Sequence, residues 1–160
     1  MMKYHKRAIK INLRDASDDG RLFYKPDPDI EPLILFIKNP NQRVMAFSIN
    51  IEGGQVLLAL NSNRILQSAE FIIHRRIWKK ATFDIPPVHK ISADIEFPNV
   101  RTRYTEFELP VTVTTDEAYS FAHIIIGEVE PDVDCIALSD QCFVLVHSGY
   151  FKGFYIKLIS

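Results

Sequence analysis

Two histidines in apolar surroundings are the first residues of this sequence that could do chemistry. His123 lies within the run FAHIII, and His147 follows the run FVLV. Imidazole binds metal ions and transfers protons near neutral pH, and Glu128 or Asp134 could complete such a site. The spacing matches no known ligand motif, however, and a histidine within an apolar strand is more often a hydrogen-bonded core residue. A small-ligand or metal enzyme using His123 and His147 is therefore the weakest of three hypotheses.

No local motif for nucleophilic or phosphate chemistry accompanies the histidines. The sequence has no Gly-x-Ser-x-Gly elbow, no glycine-rich phosphate loop and no His-Glu-x-x-His motif. Cys142 and His147 can lie on opposite faces of one strand, which works against direct contact. Cys135 and Cys142 have no flanking histidine, so they do not form a zinc pattern. We expect two reduced thiols, no metal, no cofactor and no catalysis.

The most concentrated basic feature is the segment 74–80, HRRIWKK. Its cations Arg75, Arg76, Lys79 and Lys80 could bind phosphates, and Trp78 could stack on a base. This pattern gives the second hypothesis, a nucleic-acid-binding domain. The opposing interpretation is a solvated face with Trp78 in the core. The overall pI of about 6.5 also lies far below that of a typical nucleic-acid binder.

The acidic counterpart is the segment 128–134, which we call the acidic segment. Glu128, Glu130, Asp132 and Asp134 alternate, so an extended chain would project them largely to one side, and Asp140 follows shortly after. The pattern also fits an ordinary acidic surface loop. Calcium binding is less favoured, because the segment lacks EF-hand spacing and glycine.

The two parts of the chain differ in charge, although the net charge is −1. Residues 1–103 contain 17 Lys and Arg against 11 Asp and Glu, whereas residues 104–160 contain two Lys against nine acids. Folding can intermix the two parts. If it does not, an acidic sector would attract a basic partner and accelerate their encounter.

The favoured hypothesis is a non-enzymatic protein-binding module that covers a basic partner with its acidic surface. The five carboxylates above would form the interface. A concrete version is a cognate inhibitor, such as an immunity protein that neutralises a basic nuclease toxin, with carboxylates standing where the toxin expects phosphates. We expect a single domain over 1–160. No stretch approaches the roughly 20 apolar residues that span a bilayer, and the N-terminus has no signal-peptide pattern, so we expect a cytoplasmic protein without membrane partners.

Period-two alternation predicts the elements that position these residues. It is clear at 43–51, 90–97 and 103–114, where Pro110 suggests an edge strand or a bulge. Further strands are predicted at 7–14, 33–38, 55–60, 120–129, 135–138, 141–147 and 151–159. The turn-like residues 39–42 predict a hairpin between 33–38 and 43–51, continuing into 55–60 as a meander. About ten short strands indicate a mainly β fold, an antiparallel sandwich or barrel, with α+β as an alternative.

Residues 61–81 are ambiguous between helix and strand. Asn61, Ser62 or Asn63 could cap a helix, and apolar residues from Ile65 to Ile77 recur at helical spacing. Arg76 and Lys80 would fall inside the apolar arc, so a helix must end near position 74. We predict a helix over about 63–74, with a strand over 71–79 as the alternative.

Overall fold

The regular elements of this chain are almost all β-strands. The structure is a computed structural model that describes residues 4–5, 8–15, 23–24, 33–36, 43–51, 54–81, 88–89, 93–128, 132–138 and 142–158. Within these ranges the helical content is one 3-10 turn over Arg75–Ile77, and no helix is long and apolar enough to cross a membrane. The strands are β1 (Tyr4–His5), β2 (Asn12–Asp15), β3 (Phe23–Tyr24), β4 (Leu33–Phe36), β5 (Met45–Ile51), β6 (Gly54–Leu60), β7 (Leu66–Ile73), β8 (Lys79–Lys80), β9 (Val88–His89), β10 (Ala93–Glu96), β11 (Tyr104–Phe107), β12 (Val111–Thr115), β13 (Phe121–Ile126), β14 (Asp134–Ala137), β15 (Cys142–His147) and β16 (Tyr150–Lys157).

These strands form two large sheets and one small sheet. The first sheet has the order β1-β11-β5-β6-β7-β4-β3, and the second has the order β8-β12-β13-β16-β15-β14-β9. β10 and β2 form a separate antiparallel pair. Most neighbours are antiparallel, but β1, β11 and β5 run parallel, and β8 and β9 join the second sheet in parallel. The prediction of a mainly β fold is confirmed.

Alternating side chains of the two large sheets meet in one core. Val56, Leu58 and Leu60 of β6 point inward from the first sheet and are fully buried. Ile124 and Ile126 of β13 do the same in the second sheet. All five belong to one apolar cluster that includes both inner faces. The fold is therefore a β-sandwich, one of the two architectures predicted.

Six phenylalanine rings connect the two sheets through this core. Consecutive rings meet edge to face, with centroids 4.8 to 5.4 Å apart. Each such pair contributes about 0.5–1.5 kcal/mol beyond the burial of its area. The first two rings and the last belong to the first sheet, the third follows β10, and the fourth and fifth belong to β16. In order of contact they are Phe107, Phe47, Phe97, Phe151, Phe154 and Phe71.

The predicted strand over 103–114 is two strands that belong to different sheets. β11 lies in the first sheet and β12 in the second, and Pro110 immediately precedes β12. Proline has no N–H, so it cannot donate to a ladder within a continuous strand. Its carbonyl oxygen instead accepts a hydrogen bond from the Gly127 N–H at 2.8 Å. The chain crosses between the sheets at the residue that interrupts pairing.

The predicted helix over 63–74 is wrong, because β7 occupies most of that range. β7 lies between β6 and β4, and Ala69, Phe71 and Ile73 alternate into the core. The apparent helix cap acts in the preceding turn. Asn61 Oδ1 accepts hydrogen bonds from the backbone N–H groups of Asn63 (2.9 Å) and Ile65 (3.0 Å). The cap signal therefore marks the turn between β6 and β7.

The predicted hairpin between 33–38 and 43–51 is also wrong. β4 pairs with β7 and β3, whereas β5 pairs with β6 and β11. The meander therefore comprises β5, β6 and β7. The turn residues 39–42 lie outside the described residues. Turn chemistry identifies where the chain reverses, but it does not determine which strand becomes the neighbour.

Gly153 allows β16 to lie close to β13 in the second sheet. Its substitution therefore tests the packing of that sheet. Its φ is +122°, and a Cβ at this position would collide with the Ile124 carbonyl oxygen. We expect Gly153→Ala to lower the free energy of unfolding by about 3 kcal/mol or more, measured by urea denaturation. The control is Gly149→Ala, where φ is +80° but the space is open. This control should cost about 1–2 kcal/mol, and equal losses would contradict the packing argument.

Candidate functional site

His123 and His147 do not share a site. His123 pairs with Tyr155 on one side of β16, and His147 pairs with Tyr150 on the other. Five residues along a strand correspond to roughly 15 Å, and the two histidines also lie on strands separated by β16. One metal ion or one reacting atom cannot contact both side chains. The expectation that the two histidines act together is wrong.

His123 lies on the outer face of the second sheet, in apolar surroundings. Its imidazole is 8 % exposed, and the Tyr155 ring lies 6.4 Å away between centroids. Burial lowers the pKa of His123 to about 4, because the charged imidazolium loses its hydration. The ring is therefore neutral at physiological pH. This environment agrees with the interpretation of His123 as a core or boundary residue.

The cysteines are free thiols in environments that disfavour the thiolate. Cys135 belongs to an outer-face cluster with Phe143, Leu145 and Tyr155, whereas Cys142 points into the main core. Burial, with the nearby charge of Asp134, raises the pKa of the Cys135 thiol to about 11, and burial also raises the pKa of Cys142. Because the thiolate is the reactive species, neither sulfur is an activated nucleophile near neutral pH.

The acidic segment lies at one end of the second sheet. Glu128 follows the end of β13, and Asp132 and Asp134 lie just before and at the start of β14. The antiparallel registers bring these two strand ends to the same end of the sheet. All three carboxylates are exposed. Glu130 and Asp140 lie outside the described residues.

The acidic segment is not the straight row that alternation predicted. The chain bends at Glu128 and at Asp132, so the prediction of an extended row is wrong at both positions. His147 attaches the segment to β15, because its Nδ1 donates a hydrogen bond to the Asp132 carbonyl oxygen at 2.8 Å. Lys152 lies beside the segment, since a Cβ on Gly127 would be 3.8 Å from its Nζ. This cation reduces repulsion among the carboxylates.

The basic segment keeps its exposed cations but not its stacking residue. Arg76, Lys79 and Lys80 are exposed, whereas Trp78 is buried at 9 % exposure. The Trp78 indole Nε1 donates to the Ile73 carbonyl oxygen at 3.3 Å. The expectation that Trp78 stacks on a base is therefore wrong, and its interpretation as a core residue is confirmed. Arg75 lies in the 3-10 turn.

Lys80 is engaged within the protein. Its Nζ lies 3.2 Å from Glu117 Oε2 and 5.1 Å from the centre of the Tyr119 ring. The hydrogen bond and the charge of Glu117 raise the pKa of Lys80. The Lys80 side chain is exposed to solvent, so the ion pair contributes little to stability. It does hold the ammonium group at the sheet edge.

Sequence reasoning missed a groove beside these cations. The groove has a volume of about 100 Å³ and is lined by Ile73, Ile77, Lys79, Val111, Thr112 and Val113. Its residues come from β7, the 3-10 turn, β8 and β12, which are distant in sequence. Only the juxtaposition of the two sheets reveals it. The one local signal is Pro110, which marks where β12 begins.

Comparison with known proteins assigns no family to this arrangement. No protein-family model matches the sequence, and no curated protein is significantly similar to it. Among the residues described, no group of three or more His, Cys, Asp and Glu side chains is close enough to hold a metal ion. Among the described residues, the acidic segment and the groove are two surfaces with a distinctive charge.

The burial of His123 predicts a specific pH dependence. The unfolded chain binds a proton near pH 6.5, whereas the folded state binds it only near pH 4. The stabilising contribution of the neutral His123 is therefore fully present above pH 6.5, and it is lost as the pH falls toward 4. We expect the free energy of unfolding to drop by about 2 kcal/mol between pH 7 and pH 5, as measured by urea denaturation.

A substitution isolates the contribution of this histidine. His123→Phe should flatten the stability profile above pH 5, because a phenylalanine binds no proton in either state. The exposed His74 provides the matched control, and His74→Gln should keep the wild-type slope. An unchanged slope in His123→Phe would show that other groups cause the pH dependence.

Proposed function

We propose that this chain is a protein-binding module that covers a basic surface of its partner with the acidic segment. The observation that carries the proposal is the placement of Glu128, Asp132 and Asp134, three exposed carboxylates at one end of one sheet. A binding surface of this kind needs no catalytic group. It needs charges of one sign, accessible to a partner and held on a stable support.

The support for these carboxylates is the second sheet. Both of its faces carry buried apolar side chains: Ile124 and Phe154 inward, Phe143 and Tyr155 outward. The bond from His147 to Asp132 joins the acidic segment to this sheet. A segment fixed before binding loses little conformational entropy in the complex. The carboxylates are thus partly preorganised for a complementary cationic surface.

The charge distribution favours rapid association with a basic protein. Lys152 and Lys157 are the only Lys or Arg residues from 104 to 160, and the Lys157 Nζ lies over the Phe143 ring at 5.6 Å. Steering by exposed charges raises association rates and is screened over about 8–10 Å at physiological salt. The finer form of the proposal is a cognate inhibitor whose carboxylates occupy the phosphate-binding surface of a basic nuclease.

Paired charge reversals test the proposal. We expect Glu128→Lys with Asp132→Lys to leave the fold intact, because exposed substitutions usually change stability by under about 0.5 kcal/mol each. The double variant should lose capture of a basic protein from host extract, identified by mass spectrometry. With the purified partner, its affinity should fall by at least about a hundredfold and its association rate should lose most of its salt dependence.

The matched control reverses the same number of charges elsewhere. Asp15 and Glu108 are exposed and lie outside the acidic segment, so Asp15→Lys with Glu108→Lys should retain the partner. If both double variants lose it equally, net charge rather than this surface causes binding. If only Arg76, Lys79 and Lys80 to Ala removes capture, and nuclease treatment does so too, the partner is a nucleic acid and the proposal is wrong.

A further inference from the structure

The groove beside β12 coincides with an incomplete sheet edge. β8 pairs with β12 only at Thr114 and Thr115. Along the same edge, Val111–Val113 face no strand within the described ranges, although their other edge pairs with β13. An unpaired strand edge presents peptide N–H and C=O groups that can bind another strand. The open edge and the groove lie together, because Val111, Thr112 and Val113 line both.

The direction of the peptide groups identifies which residues are available. The Thr115 carbonyl oxygen accepts from the Ala81 N–H at 2.9 Å, so Thr115 directs its peptide groups toward the β8 edge. Alternate residues of a strand point theirs the same way. Val113 and Val111 therefore direct their N–H and C=O groups toward the open edge, and the Pro110 carbonyl, which bonds to Gly127, faces the other way.

The chain itself turns away from this edge just before β8. The 3-10 turn over Arg75–Ile77 precedes β8, and Trp78 fixes the chain by burying its indole and bonding to the Ile73 carbonyl. A backward extension of β8 along β12 is blocked by this turn. The turn also leaves the Ile77 side chain 43 % exposed at the rim of the groove.

The groove carries a positive charge. Of the three exposed cations of the basic segment, Lys79 lines the groove, Arg76 directly precedes the lining residue Ile77, and Lys80 follows Lys79 and pairs with Glu117. A negatively charged occupant would therefore be attracted, and a positively charged one would be repelled.

We propose that this basic groove binds an extended acidic peptide segment of another protein, which adds to the open edge of β12 as a further strand. The occupant would pair with the peptide groups of Val111 and Val113. Main-chain pairing of this type gives affinity, and pockets for alternate side chains give specificity. The groove and the acidic segment share no residues. Peptide binding in the groove and binding of a basic partner by the acidic segment can therefore be refuted independently.

The two faces of the sheet determine the chemistry of the peptide. Val111 and Val113 point toward the core side, together with Ile73, whereas Thr112 and Lys79 lie on the outer side. Side chains of an added strand alternate between these two environments. The recognised segment therefore has apolar residues alternating with Asp or Glu. Val or Ile suits the inner positions, because the groove is only about 100 Å³ in volume.

Other anionic partners fit the geometry less well. A membrane surface needs a protruding apolar patch, whereas Ile73, Val111 and Val113 line a recess. A nucleic acid would use an exposed aromatic residue for stacking, and Trp78 is buried. An extended peptide uses all three features of the site: the open backbone edge, the recess beside Ile73, Val111 and Val113, and the charge of Lys79.

Fluorescence anisotropy with the full chain and a labelled, end-blocked Glu-Val-Glu-Val-Glu-Val peptide tests the proposal. We expect saturable binding with a Kd of roughly 10–100 µM. Lys79→Glu should weaken binding at least about tenfold, since it reverses the charge that lines the groove. The matched control is Arg101→Glu, an exposed cation outside the groove, and its Kd should stay within about twofold of wild type. Thermal melting verifies that both variants are folded.

Two peptide controls separate strand addition from simple charge attraction. A Lys-Val peptide of the same length should not bind. A Glu-Val peptide with alternate N-methylated peptide groups keeps its charge but cannot pair along β12, and we expect it to bind at least about tenfold more weakly. Absence of binding by the wild type at 1 mM, or equal binding of the methylated peptide, would overturn the proposal. So would preferential binding of anionic vesicles or single-stranded DNA, or self-association that Lys79→Glu abolishes.

Discussion

The series of phenylalanine rings between the two sheets is the contact on which the remainder of this structure depends. A β-sandwich exists only if the inner faces of its sheets exclude water together, and the ring of Phe97 also brings the small sheet into that core. Because the rings meet edge to face, each fixes the orientation of the next. The acidic segment lies on the second sheet, and the basic groove is lined by β7 of the first sheet and by β8 and β12 of the second, so these contacts determine the geometry of the groove.

The same apolar packing restricts the chemistry that the chain can perform. His123 and both cysteines are reactive residue types, but their burial favours the uncharged forms. The exposed groups among the described residues include carboxylates at one end of the second sheet and cations at one edge. Such surfaces are suited to recognition, and their opposite signs would select partners of opposite character.

The sequence predicted well where one residue pattern had one interpretation. The alternation at 43–51 and 90–97 corresponds to β5 and β10, whose apolar residues Phe47, Ile49 and Ile95 belong to the core. Prediction failed where the deciding contact is distant in sequence. β7 satisfies both a helical and a strand pattern, and only pairing with β4 and β6 selects the strand. The groove beside β12 lies where no described strand pairs with Val111–Val113 on that edge, which no local pattern encodes.

The attachment of the N-terminal region to the last hairpin has a consequence for how the chain folds. The Ile9 carbonyl oxygen accepts a hydrogen bond from the Phe151 N–H at 2.7 Å, and the Ile11 N–H donates one to the Gly149 carbonyl oxygen at 2.9 Å. In addition, β1 pairs with β11. Residues 9 and 11 therefore find their partners only after the last hairpin, β15 and β16, has been synthesised. Closing so long a loop is entropically costly and slows folding. During translation the first sheet lacks its opposing layer, so its inner face is exposed until β16 emerges, and a chaperone that shields apolar strands would have the most to act on in that interval.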